Sequence, residues 1–379
     1  AWRGFSARAV EAVHGNGQRA ENRIGFCLYG YLYFDGRRTD LEAHRIIWCP
    51  RMRLREPYLN AAVLLGLIAL PLAALLADAP FTITLATRAV ILALAAVGLN
   101  IALGIGGLVS FGHAVFFGIG GYVMGILASH AQTYTPLDLG FVLIEGTKSM
   151  PVIWLSAMLI SGIIAFFIGL LSLRTSGVYF IMITLAFGQL FYYFSISWPQ
   201  YGGEDGLSIY TRNDFPGLNT LKPLQFFFLC FGLLCSVLFI KSKLQSAPFG
   251  LALNAARQTP LRAQAVGIEP LKLRLLAFVI SGAITGLAGA LFADLNRFVS
   301  PTMFSWQLSG ELIVLIIIGG VGRLMGPVIG ACMFVALEHF LGGLTEFWHV
   351  YLGLILLCIV LFARGGLIGL LTGKDGAKV

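Results

Sequence analysis

Residues able to do acid–base, metal or nucleophilic chemistry are few in this sequence and badly spaced for it. No G-x-x-x-x-G-K-[ST] run occurs, so the chain has no loop of that kind to cradle a triphosphate. The GIGG runs at 104–107 and 118–121 are not dinucleotide fingerprints, since no strand precedes either. No Ser/His/Asp constellation, no His-rich run and no cysteine pair at metal-site spacing is present. Covalent catalysis, a metal and a cofactor are therefore not expected. Isolated polar side chains stand instead inside apolar stretches: Asn100, His113, Thr184, Gln189, Ser281, Thr285, Glu311, Glu338 and His339. A polar group in lipid must be paired, and an ionisable one there points to a solute pathway. Asn100, His113, Thr184, Gln189 and Glu311 are the pathway candidates. The plainer alternatives are a satisfied structural histidine at 113 and interfacial solvation of Glu311, Glu338 and His339.

A second pattern lies in the polar interval 241–274, KSKLQSAPFGLALNAARQTPLRAQAVGIEPLKLR. Its charges are Lys241, Lys243, Arg257, Arg262, Glu269, Lys272 and Arg274, so it is basic and belongs in the cytoplasm by the positive-inside rule. It also reads as folded. Residues 251–258 suit a short helix, Thr259 an N-cap with Pro260 at the first helical position, and Gly267 the left-handed position that closes a helix. Pro270 starts the next helix. The short capped helix presents Leu261, Ala265, Val266 and Ile268 beside Arg257 and Arg262. It can rest on lipid headgroups, or it can dock in a cleft on a cytoplasmic ATPase.

The elements around these residues are set by composition. The chain is 58% hydrophobic and 12% charged, against about 25% charged in a soluble domain. Its 46 glycines suit close packing of transmembrane helices. The expected fold class is an all-α polytopic membrane protein. The net charge of +8 follows from ten arginines against five acids in residues 1–55 and from basic loops, so no nucleic acid is needed to explain it. Of six cysteines, Cys230, Cys235, Cys332 and Cys358 lie in apolar runs, and Cys27 and Cys49 near the N-terminus; none is expected in a disulfide.

Residues 1–51 are Arg-rich, lack Lys and contain no span or signal peptide. They read as an N-terminal extension outside the core, which starts near Met52; a cytoplasmic tail is the rival reading. Ten apolar spans are then expected at about 58–77, 81–103, 115–130, 152–173, 177–198, 224–240, 275–295, 307–318, 328–341 and 350–363. Arg88 sits within two turns of the outer end of the second, where it can snorkel. The third, eighth and ninth are short, and each adjoins a glycine-rich break, GIGGLVSFGHA at 104–114 or GGVGRLMGP at 319–327. Re-entrant or broken helices there would reduce the count to eight or nine. The two breaks resemble each other, through a weak duplication or through glycine alone. Ten crossings put Arg174, the 241–274 interval, Arg323, Arg364 and both termini inside, and Trp154, Trp198, Trp306, Trp348 and Tyr351 at the outer interface.

Four stretches carry a family resemblance. GLNIALGIGGLVSFGHAVFFGIGGY (98–122) resembles the hallmark of branched-chain amino-acid ABC-transporter permeases of the LivM type. GVYFIMITLAFGQLFYYFSISWPQYGGEDGL (177–207), the run from PFGLALNAARQTPLRAQAVGIEP to NRFVSP (248–301), and SGELIVLIIIGGVGRLMGPVIGA (309–331) are similar to later parts of that family. The match covers residue 52 to about 369 and leaves out 1–51. It implies a transmembrane permease domain over 52–373, with 241–274 as its coupling loop and 374–379 as a cytoplasmic tail. It implies one half of a heterodimeric permease in a bacterial inner membrane. The implied partners are a second homologous permease subunit, two cytoplasmic ATPase subunits that bind the ATP, and a periplasmic solute-binding protein, besides membrane lipid. Carried over by position, the ATPase contact falls on Ala255, Arg257, Leu261, Arg262, Ala265, Val266 and Gly267, the last matching the glycine of the coupling motif. The motif's Glu-Ala-Ala opening stands here as Asn254-Ala255-Ala256. The expected solutes are branched-chain or related hydrophobic amino acids, with urea or short amides as the alternative within the family. An ion-coupled secondary transporter is the alternative outside it.

Overall fold

A computed structural model describes residues 55–76, 79–134, 137–138, 143–144, 146–343, 347–362 and 366. The 1–51 extension, the 374–379 tail, and Arg51, Arg53 and Arg364 lie outside the described residues. Apolar runs in lipid satisfy their backbone polar groups internally, and a helix does so within one segment. The described residues form α1 (Arg55–Leu76), α2 (Pro80–Asn100, prolonged by a π-helical turn over Ile101–Ile105), α3 (His113–Thr133), α4 (Met150–Ser172), α5 (Val178–Ile196) and α6 (Pro223–Ser246). They continue with α7 (Pro248–Gln258), α8 (Pro260–Ala265), α9 (Pro270–Asn296), α10 (Trp306–Gly319), α11 (Gly326–Gly342) and α12 (Trp348–Phe362). Proline stands in the first turn of α2, α4, α6, α7, α8, α9 and α11. A first-turn N–H has no helical partner to lose, so proline starts a helix there at no cost.

All but α7 and α8 are apolar and answer to the ten expected spans. Six of them, α2, α3, α4, α5, α6 and α9, are long and apolar enough to cross a membrane. At 1.5 Å per residue α10 and α11 reach only about 21 and 26 Å, so the expectation of short segments holds there. It fails for the third span. α3 is a full 21-residue helix that starts at His113. The first break shrinks to residues 106–112, because the π-helical turn carries α2 on to Ile105. The sixth span likewise runs six residues past its expected end at 240, to Ser246.

α2 is the axis of the bundle, with 94% of its most apolar window buried. α9 lies against α2, α3 and α4. Backbones meet where glycines allow it. A Cβ on Gly120 would fall on the Gly286 carbonyl, and one on Gly289 would fall on the Phe117 carbonyl. Gly282 packs on Ala165, and Gly330 on the Leu315 carbonyl of α10. Two short antiparallel pairs sit at the chain's turns: β1 (Leu137–Asp138) with β2 (Leu143–Ile144), and β3 (Leu207–Ser208) with β4 (Phe298–Val299), Leu207 opposite Val299.

Candidate functional site

The site is built where the polar helix pair α7–α8 meets the end of α2 and the first glycine-rich break. α7 turns its Gly250, Leu253 and Ala256 face inward, and Gly250 lies against the Leu244 carbonyl at the end of α6. From the same helix Arg257 reaches across to donate through Nη1 to the Gly104 carbonyl, and its stem lies on Gly107. Arg274 in the second turn of α9 donates to the Ala256 carbonyl at 3.1 Å, which satisfies an orphan group at the end of α7. The helix pair is thus fastened to α2 on one side and to α9 on the other.

α8 forms with the boundaries its residues predict. Thr259 holds the N-cap position and Pro260 follows, although the Thr259 side chain makes no capping bond. Gly267 has φ of +85°, its N–H bonds the Gln264 carbonyl at 2.9 Å, and the Ile268 N–H bonds the Ala263 carbonyl at 3.0 Å. That pair of bonds is a Schellman closure, which favours glycine at its left-handed residue. Ala255, Arg257, Leu261, Arg262, Ala265, Val266 and Gly267 are all exposed on this helix pair. Leu261 and Val266 stand out as apolar side chains 81% and 80% exposed.

Beneath this surface the end of α2 and its π-helical turn meet the second break. Asn100 is fully buried; its Nδ2 donates to the Arg323 carbonyl and its Oδ1 accepts from the Gly322 N–H, each at 3.0 Å. A Cβ on Gly104 would lie 2.8 Å from the Gly322 Cα. Lys241 is also fully buried, its ammonium donating to the Arg323 and Leu324 carbonyls at 3.1 and 3.3 Å. Gln245 adds a bond to the Gly322 carbonyl at 3.3 Å. Lys241 was grouped by charge with the polar interval, and the structure corrects that placement. A buried ammonium costs several kcal/mol unless its donors are taken up, and here the Arg323 and Leu324 carbonyls of the second break take them. This is also why α6 runs on past residue 240. Lys241→Met keeps an unbranched side chain, one atom shorter, and removes the donors. It is expected to lower the unfolding free energy by about 2 kcal/mol, measurable by denaturant titration of the purified protein.

The remaining pathway candidates separate. His113 is buried, with Nε2 2.8 Å from Ser281 Oγ, which itself donates to the Gly98 carbonyl at 2.7 Å. Because the serine proton is used there, His113 Nε2 carries the hydrogen and donates. Phe116 and Phe278 pack edge-on against the ring. Thr184 is buried and bonds its own helix at Ile181. Asn100, His113 and Thr184 are therefore held within the subunit, whereas Gln189 is half-buried and Glu311 is exposed on α10. Arg88 does not simply snorkel: its Nη2 lies 3.0 Å from Glu338 Oε1 of α11. Sequence reasoning treated these two charges separately, because nothing local to either one announces a partner 250 positions away.

Membrane-crossing helices with a surface pair latched to their glycine joints make a subunit of a membrane transport system. The chain belongs to the family described as branched-chain amino acid transport system / permease component, whose model matches residues 81–363. It is similar to the high-affinity branched-chain amino acid transport system permease protein LivM of Escherichia coli (strain K12), at 26% identity over 324 residues, 78% of this chain and 73% of that one. The LivM protein of Salmonella typhimurium is 26% identical over 311 residues, 76% of this chain and 70% of its own. The probable branched-chain amino acid transport permease protein LivH of Methanocaldococcus jannaschii is 35% identical over 92 residues, 23% of this chain and 27% of its own. No solved structure matches the chain.

Proposed function

We propose that this chain is the membrane-spanning permease subunit of an ATP-driven importer for branched-chain or related hydrophobic amino acids. The exposed α7–α8 pair, latched to the first break through Arg257, carries the reading. The basic charge of its interval supports a cytoplasmic position. There Leu261 and Val266, with Arg262 beside them, offer an apolar patch with a charged edge to an ATPase subunit. The sequence has no triphosphate loop of its own, so ATP is bound by that partner. Closure of the ATPases pushes α7–α8, and Arg257 and Arg274 pass the displacement to α2 and α9. Because Asn100 of α2 and Lys241 of α6 both bond the second break, α10 and α11 shift with them. A second homologous permease subunit would cover part of the exposed apolar surface of α4 and α5, and a periplasmic binding protein would deliver the amino acid at the far end. The LivM relatives' names supply the solute class.

Two results test this. A single cysteine at Leu261 or Val266 should crosslink to the ATPase subunit that co-purifies with the chain; crosslinks from the opposite end of the bundle alone would refute the docking. Gly267→Val should cut ATP-driven uptake at least several-fold while membrane insertion stays normal. A Cβ at 267 meets no atom within 4 Å, so the whole effect comes from forcing a β-branched residue to φ of +85°, a strain of about 1–3 kcal/mol. Normal uptake by that variant would defeat the assignment.

A further inference from the structure

The opposite end of the bundle holds a cluster that coupling does not use. Arg212, in the connection between α5 and α6, spans the end of α9: Nε donates to the Asp294 carbonyl at 3.3 Å, Nη2 to Leu295 at 3.2 Å, and Nη1 to Thr220 at 2.9 Å. Its guanidinium also lies 4.5 Å from the centre of the Phe226 ring. Arg212 therefore caps the C-terminus of α9, where free carbonyls favour a cation. These bonds use three of its five N–H donors.

Beside this cap lies a cavity of about 160 Å³, into which both Arg212 and Arg297 face. Arg297 is the left-handed residue that ends α9, with φ of +54°. Its guanidinium makes no hydrogen bond or ion pair among the described residues. Thr84 and Thr87 of α2 form one wall, and Leu221 and Phe226 supply apolar surface. α6 begins at the cavity with Pro223, so its positive helix end adds to the field. Asp294, the buried carboxylate nearby among the described residues, does not line the cavity, and its Oδ1 is taken by the Asn213 backbone N–H and Nδ2 at 3.3 Å each. Burial lowers the pKa of Arg212 from its ordinary value; Asp294 opposes this and Arg297 adds to it. Two like charges thus share one recess, and no acidic side chain among the described residues lines it.

We propose that this cavity is an oxyanion site for a phosphate group, held by Arg297 and the spare donors of Arg212. Guanidinium groups match phosphate oxygens with paired donors. The volume exceeds that of a bare phosphate, and the Leu221 and Phe226 walls suit a substituent on it. The phosphate can come from a lipid headgroup at the membrane edge or from solution. The site is separate from the coupling surface and does not depend on the transport reading.

The test uses the purified full-length protein. Its thermal midpoint is followed in detergent at constant ionic strength against inorganic phosphate and against short-chain phosphatidylglycerol, with diacylglycerol as the lipid control that carries no phosphate. A saturable rise with at least one phosphate probe is expected. A rise with phosphatidylglycerol alone identifies a lipid headgroup, and a rise with inorganic phosphate alone identifies a soluble ligand. Arg297→Gln should bind roughly ten-fold more weakly or worse, and should melt like the wild type without phosphate, since its guanidinium holds nothing in the fold. If that variant melts early, Arg297→Lys is read instead; it keeps the charge, loses the planar fork and should bind with intermediate strength. No saturable rise with either probe, or the same rise after Arg297 is replaced, overturns the proposal. So does a rise with leucine alone, which would mark a carboxylate site.

Discussion

Arg257→Ala should give a permease that inserts and assembles but transports about ten-fold less amino acid for each ATP hydrolysed. The side chain is exposed at the surface of α7, so its loss leaves the buried core intact. What goes is the bond from its guanidinium to the Gly104 carbonyl and the contact of its stem with Gly107. A hydrogen bond from a charged donor is worth about 1.5–3 kcal/mol. Coupling between two sites typically amounts to about 1–3 kcal/mol in all, so on the proposed mechanism the loss of this one latch should remove a large share of it. Arg274 still ties α7 to α9, which leaves partial transport. Arg257→Lys should fall between the two, because an ammonium keeps the charge without the guanidinium's reach and fork. The check is simultaneous measurement of ATP hydrolysis and uptake in proteoliposomes; an unchanged ratio in Arg257→Ala would remove the latch from the mechanism.

Gly120→Val should have the larger effect on folding. A Cβ at 120 falls on the Gly286 carbonyl, where α3 and α9 cross backbone to backbone. No rotamer relieves a clash with a main-chain oxygen, so the helices must part. Overpacking a tight core typically costs about 1–3 kcal/mol, and more where backbone must move. Parting this seam also loosens Gly289 from the Phe117 carbonyl, three residues further along α9. The yield of monodisperse protein should drop at least several-fold, read by size-exclusion chromatography. Gly232→Ala is the control: a Cβ there meets nothing within 4 Å, so the variant should behave as wild type.

Much of the fold is legible in the residues because its signals are local. Apolar run length places the spans. Thr259-Pro260 and Gly267 bound α8 because proline and glycine act on their own backbone angles. The exposure of Leu261 and Val266 follows from the same short amphipathic reading. What stays hidden depends on neighbours distant in sequence. Lys241 reads as one more loop cation until its carbonyl partners at 323 and 324 are in place. Asn100 gives no sign that Gly322 will meet it. Glycine content tells of close packing in general, but not that a Cβ on Gly120 of α3 would meet the Gly286 carbonyl of α9. Arg88 and Glu338 each look solvated until α2 and α11 come together. The length of α3 was obscured because glycine content suggested a break through residue 114, while the π-helical turn and Gly112, packed on the Thr184 carbonyl, confine it.

Uptake of radiolabelled leucine into proteoliposomes, with the chain reconstituted beside the permease, ATPase and binding-protein partners proposed for it, tests the central claim most directly. Uptake should require ATP and the binding protein together, and should persist when proton and sodium gradients are collapsed. Uptake driven by an imposed ion gradient with no ATP present would contradict it.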